Sequence, residues 1–135
     1  VYLAAVDCTG HGVAGAFMSI IGYNLLNQIV RKKGNDKLNA AQILDLLNEG
    51  VIQTLRQRQK DAVSRDGMDI NLCIFNLKEY KLSYAGAVNY LYVIREGELI
   101  KLVADTFSIG IPKTGEIQPF TNHDFQLQKG DILIQ

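Results

Sequence analysis

Val1-Tyr2-Leu3-Ala4-Ala5-Val6-Asp7-Cys8-Thr9-Gly10-His11-Gly12-Val13-Ala14-Gly15-Ala16-Phe17-Met18 is the stretch around which the chain is organised. Its first six residues are apolar and partly β-branched, which predicts a buried strand. Asp7 then stands at the strand's C-terminal end, held by the strand and open to solvent on the turn side. Glycines at 10, 12 and 15 let backbone approach a ligand closely, because no Cβ intervenes. A helical pattern follows, and its positive N-terminal end would favour an anion such as phosphate.

Four readings compete for this stretch. Gly10-x-Gly12-x-x-Gly15 between a strand and a helix matches a dinucleotide-binding fingerprint. That fold requires a second strand after the helix, with an acidic residue near its end. Here Lys32-Lys33-Gly34-Asn35-Asp36 leads into a second helical pattern instead. A Walker A loop lacks its Gly-Lys-Ser/Thr. A cysteine phosphatase built on Cys8 would need an arginine six residues on, and position 14 is alanine. In the fourth reading Asp7 ligates a hard cation such as magnesium or manganese, with a second carboxylate supplied by Asp69. Against it stands a plain turn or helix cap, which aspartate often provides.

The chain has 135 residues, the size of one domain, which buries about two thirds of its unfolded surface. Hydrophobic content of 47% and charged content of 21% fit an ordinary globular protein. Fourteen basic side chains balance fourteen acidic ones, so no general attraction to nucleic acid or anionic membrane follows. Cys8 and Cys73 read as reduced thiols of a cytoplasmic domain. The apolar run from Val13 to Leu26, broken by Ser19, Gly22 and Asn24, reads as too short to span a membrane.

Helix one is predicted from about Val13 to Lys32. Ala14, Met18, Ile21, Leu25 and Ile29 form its apolar stripe, and Phe17, Ile20 and Leu26 widen it to more than one covered side. Helix two begins near Asn39, an N-cap with Gln42 placed for a capping box. Ala40, Leu44, Leu47, Val51 and Leu55 line its core face, with Asp45, Glu49, Gln53 and Gln57 opposite. Two such helices suggest an antiparallel pair packed on a sheet.

A polar loop from Lys60 to Gly67 delivers a strand from Met68 to Leu77, with Asp69 at its start. If that strand neighbours the first, the two acids meet, and their repulsion calls for a cation. Further strands read from Tyr80, Tyr90 and Leu99, the last two joined by a tight turn at Glu96-Gly97-Glu98. Pro112 to Gly115 reads as a turn. A strand from Pro119 to Leu127 and a hairpin turn at Lys129-Gly130-Asp131 then lead into a final strand-like run. His123 has no histidine or cysteine partner at ligand spacing and reads as a surface strand residue.

The stretch from Asp7 to Ser19 resembles the D-x-T/S-G-H-G-V-P-G-A-hydrophobic-M-S signature of bacterial PPM-type phosphatases. These are protein phosphatase 2C-like enzymes of the SpoIIE (sporulation stage II protein E) branch. Asp66-Gly67-Met68-Asp69-Ile70 is similar to the family's D-G-M-D-hydrophobic stretch, and Ala85-Gly86-Ala87 to its A-G-A/H turn. Arg95-Glu96-Gly97-Glu98-Leu99 resembles the R-x-G-E-L hairpin, and Asp105-Thr106-Phe107-Ser108-Ile109-Gly110 the D-x-x-S-I-G loop. The matches keep the family's order and cover nearly the whole chain.

The resemblance implies an α/β sandwich of mainly antiparallel sheets with a pair of antiparallel helices, here lacking edge strands. It implies hydrolysis of phosphoserine and phosphothreonine by a water held between two manganese or magnesium ions. No side chain then serves as nucleophile. By position, Asp7 would bridge the ions, the Cys8 backbone carbonyl would be a ligand, and Asp69 would bind one ion. Gly10, His11 and Gly12 become possible phosphate or turn contacts. A proton-donor role for His11 is not carried over, since two residues separate Asp7 from Gly10. The substrate would be a phosphorylated regulatory protein of the anti-sigma antagonist type, and the helix pair would face a sensor or regulatory domain of the parent chain. No nucleic acid or membrane contact is implied.

The family's G-G-D-hydrophobic-x-D and S/T-D-G segments, which supply further acids, are not among these residues. The sequence therefore reads as a single truncated phosphatase domain over 1–135, expected to hold metals weakly and to be inactive as it stands. Two rivals remain: a non-catalytic phosphatase-like interaction module, and a nicotinamide-binding domain, which would need a parallel sheet.

Overall fold

A computed structural model describes residues 1–55, 66–110 and 116–135. Gln57, the expected loop over 60–65 and the expected turn over 112–115 lie outside the described residues. The elements run β1 (Tyr2–Cys8), α1 (Gly12–Arg31), a 3-10 turn (Asn35–Lys37) and α2 (Ala40–Thr54). There follow β2 (Met68–Asn76), β3 (Lys81–Ala87), β4 (Leu91–Arg95), β5 (Glu98–Leu102), β6 (His123–Gln126) and β7 (Ile132–Ile134). They form one sheet in the order β1-β2-β3-β6 and another in the order β5-β4-β7. All the strand pairs are antiparallel.

Alternation along β2 divides its side chains between two cores. Met68, Ile70 and Leu72 point to the helices and bury against Ile43, Leu44, Leu47 and Val51 of α2. Each such side chain contributes roughly 1.5–3 kcal/mol on leaving water. Cys73 takes the opposite face and packs with Leu82, Tyr84 and Leu91, joined by Leu102 and Leu133 from the second sheet. The second face therefore looks into the space between the sheets.

The capping box at α2 forms as its sequence implies: the Asn39 side chain accepts from Gln42 N–H at 2.9 Å, and Gln42 accepts from Asn39 N–H at 3.0 Å. Asp45 departs from the solvated face assigned to it. It is half-buried, accepts from the Phe120 N–H at 2.9 Å, and has its pKa raised by burial and then by the nearby Asp105 charge.

Four expectations need correction. β1 is a strand but not a buried one: it lies at the sheet edge, and Leu3 and Val6 keep about half of their surface in solvent. α1 is covered on one side only. Met18 and Gly22 face the core, while Val13, Phe17, Ile20 and Tyr23 are exposed, because α2 and β2 meet a single stripe. α1 also extends for 20 residues to Arg31, which is long and apolar enough, by length and composition, to cross a membrane. The expected helix, from Val13 to Lys32, has this length, and what the sequence reading understates is how much of it is apolar, since it counts only the run from Val13 to Leu26. Lastly, the turn at Lys129-Gly130-Asp131 is not a hairpin, since β6 pairs with β3 and β7 with β4. It carries the chain from one sheet to the other, and Arg95 clamps Asp131 there through two bonds of 2.9 and 2.7 Å.

Candidate metal centre

The β1–β2 register sets Asp7 directly opposite Asp69. Opposed residues of an antiparallel pair share a face, so both carboxylates project to the inter-sheet side. Val1 and Phe75 exchange two backbone hydrogen bonds of 2.9 and 2.8 Å, and the Thr9 N–H donates to the Gly67 carbonyl at 2.9 Å. Bonded positions alternate along such a ladder, which puts Asp7–Asp69 at a bonded pair and Cys8–Met68 at the position between. Met68 accordingly turns its backbone the other way and exchanges bonds of 3.1 and 2.9 Å with Ile109. The Cys8 carbonyl, by the same alternation, faces the open edge of β1.

Two hydroxyls hold the acid-bearing strand ends. Thr9 Oγ1 accepts from the buried Gly67 N–H at 3.2 Å, which closes the ladder just beyond the acids. Ser108 donates its hydroxyl to Asp69 Oδ1 at 2.5 Å. Reading by sequence alone assigned neither residue a role at the site. Both lie inside the quoted motifs, but only the strand register shows what their hydroxyls reach.

Asp7 opens on a cleft of about 530 Å³ walled by Val88, Asn89, Tyr90, Tyr92 and Gln135. The Lys101 ammonium lies 3.7 Å from the ring centroid of Tyr90, one of these residues. Deeper between the sheets, Gln135 donates to Asn71 Oδ1 at 2.9 Å and to Cys73 Sγ at 3.1 Å, and Asn71 donates to the Tyr90 carbonyl at 2.9 Å.

Among the described residues the Asp7 side chain has no hydrogen bond or ion pair, and the two salt bridges, Lys81–Glu79 and Arg95–Asp131, leave both acids without a cation. Like charges directly opposite are destabilising. The acid pair and the Cys8 carbonyl are hard oxygen donors, the set that suits magnesium or manganese. No group of three or more histidine, cysteine, aspartate or glutamate side chains that could hold a metal exists among the described residues.

Of the turn residues, His11 is the N-cap of α1, exposed and without a side-chain capping bond. Gly10 and Gly12 have φ of +89° and +64°. A Cβ at Gly15 would lie 2.7 Å from the Gly10 carbonyl oxygen, so a glycine there lets the turn fold onto the first turn of α1. His123 sits half-buried on β6 with its ring 5.7 Å from that of Tyr84, away from the acids. The nicotinamide-binding alternative fails on topology, since β1 and β2 are antiparallel and two helices separate them.

A family model described as stage II sporulation protein E (SpoIIE) matches residues 1–135. Among solved structures, the SiaA-PP2C domain of Pseudomonas aeruginosa superposes with a TM-score of 0.79 at 24% identity, over 96% of this chain and 47% of that one. The PP2C phosphatase domain and a fragment of the regulatory domain of SpoIIE from Bacillus subtilis gives 0.67 at 19% identity, over 98% and 34%. The catalytic domain of the serine threonine protein phosphatase PstP, in complex with two manganese ions, gives 0.65 at 19% identity, over 98% and 64%. The chain thus spans less than two thirds of each of these structures, about half of the first. Among curated proteins, none matches. The mixed architecture of antiparallel sheets and paired helices is the PP2C-like phosphatase fold.

Proposed function

The chain belongs to the stage II sporulation protein E family, and on that premise we propose that it is the metal-holding part of a protein serine/threonine phosphatase domain. The observation that carries the reading is the opposition of Asp7 to Asp69 with no cationic side chain paired to either among the described residues. In this reading the two carboxylates and the Cys8 carbonyl hold manganese or magnesium. Such ions, when bound, supply Lewis acidity and a water acidic enough to attack phosphorus near neutral pH.

The chain's own residues do the rest. The β1–β2 ladder fixes the spacing of the acids before any cation arrives, which lessens the reorganisation needed on binding. The exposed turn Gly10-His11-Gly12 presents backbone N–H groups at the N-terminus of α1, an environment that favours a phosphoryl group. In this reading the cleft beside Asp7, walled by Tyr90 and Tyr92, takes the peptide around the phosphoryl group. The substrate of this reading is phosphoserine or phosphothreonine on a cytoplasmic regulatory protein, of the anti-sigma antagonist type. The exposed side of α1 then faces a regulatory domain of the same parent chain. Two carboxylates alone hold divalent ions weakly, so the 135 residues by themselves release no phosphate.

The test is phosphate release from a phosphoserine peptide by the full-length protein, with manganese added or withheld. Manganese-dependent release that is lost in both Asp7→Asn and Asp69→Asn supports the phosphatase. No release from the full-length protein at saturating manganese overturns it in favour of a binding module.

A further inference from the structure

Ser108 lies between β5 and β6, far in sequence from either acid, yet its hydroxyl is 2.5 Å from Asp69 Oδ1. The backbone on both sides of that contact is tied down. Ile109, the next residue, exchanges two backbone bonds with Met68, the residue before Asp69. Gly110, after it, donates its N–H to Asn48 Oδ1 at 2.7 Å, inside the core and against α2. Gly110 has φ of +91°, and a Cβ there would meet Val51 Cγ1 at 2.9 Å, so the loop sits close on the helix. Ser108 is thus delivered to Asp69 by a fixed frame and not by a free loop.

We propose that Ser108 is a positioning residue that holds one oxygen of Asp69 and leaves the other for a divalent cation. The proposal rests on the reading of Asp69 as a metal ligand. A carboxylate with both oxygens unrestrained rotates about its terminal bond and presents its lone pairs in many directions. The Ser108 hydroxyl occupies Oδ1 and restrains the carboxyl plane, so Oδ2 is left free and held to a narrower range of directions, on the face that the register gives both Asp69 and Asp7. Partners that orient ligating groups in this way are worth 10–100-fold in metal affinity. Charge-assisted bonds of this length are also the strong ones, which suits a fixed orientation.

The experiment titrates manganese into the full-length protein and reads free manganese by its paramagnetic resonance signal, for wild type, Ser108→Ala, Ser108→Thr and Asp69→Asn. Each variant is also melted in metal-free buffer. The proposal predicts affinity about tenfold lower in Ser108→Ala, restored in Ser108→Thr, with unchanged metal-free melting and binding lost in Asp69→Asn. If Asp69→Asn loses binding while Ser108→Ala binds as wild type does, the positioning role is overturned and the metal reading stands. If Ser108→Ala lowers metal-free melting and Ser108→Thr does not restore affinity, Ser108 is structural only and the proposal fails. If Asp69→Asn binds as wild type does, or wild type binds no manganese, the metal reading fails and the proposal with it.

Discussion

Asp7 faces Asp69 across the last rungs of the β1–β2 ladder, and two residues further on Thr9 locks the two strands together at Gly67 through both its backbone N–H and its hydroxyl. The lock sits where repulsion between the acids pushes the strands apart. Thr9→Val keeps the β-branched shape and removes the acceptor of the buried Gly67 N–H. It is expected to destabilise the fold by about 1–2 kcal/mol, read from urea unfolding in metal-free buffer.

Asn48 is a buried polar residue whose side-chain oxygen accepts from the Gly110 N–H. Asn48→Ala leaves that N–H inside the core with no acceptor. A loss of about 1–3 kcal/mol is expected, larger than for Gln53→Ala on the exposed side of α2. Equal losses for the two substitutions would show that the α2–loop clamp contributes nothing.

Arg95 holds the Asp131 carboxyl below the usual carboxylate range, first through its hydrogen bonds, and the Asp131 side chain is only 3% exposed. A depressed native pKa adds stability that is fully present above the unfolded pKa, about 4, and is lost as pH falls through the lower native value. Wild type should therefore out-melt Asp131→Asn at about pH 6, and the gap should narrow as pH falls below the unfolded pKa. A gap independent of pH would contradict the pairing.

Cys73 is buried between the sheets, and that burial pushes its thiol up to about 11, against a smaller opposing effect of the Gln135 hydrogen bond. Reactivity follows the thiolate. At pH 8 the native protein should therefore leave Cys73 unalkylated by iodoacetamide, and denaturant should make it react. Mass spectrometry of the peptide carrying Cys73 reads the result.

Much of this architecture was legible from pattern. The capping box at Asn39 and Gln42, the core stripe of α2 and the acid at the end of β1 follow from side-chain chemistry and spacing alone. The turn at Glu96 and Gly97, both with positive φ, was equally visible. What escaped depended on partners distant in sequence. Nothing in Val1-Tyr2-Leu3-Ala4-Ala5-Val6 distinguishes an edge strand from a central one, because apolar content reports propensity and not neighbours. Phe17 and Ile20 looked like core for the same reason. The roles of Thr9, Asn48 and Ser108 needed the strand register, since their partners lie 58, 62 and 39 positions away. The sheet change at Asp131 was hidden because a Gly-Asp turn serves a hairpin and a crossover equally well.

The most direct test of the acid pair as a cation site is thermal melting of the full-length protein and of Asp7→Asn, each with EDTA and with manganese. Removing one of two opposed negative charges should leave Asp7→Asn at least as stable as wild type in EDTA, by about 0.5 kcal/mol. Manganese should raise the melting temperature of wild type, by linkage to the native state, and not that of the variant. If manganese leaves wild type unmoved, or if Asp7→Asn melts well below wild type in EDTA, Asp7 is a structural cap and the account is wrong.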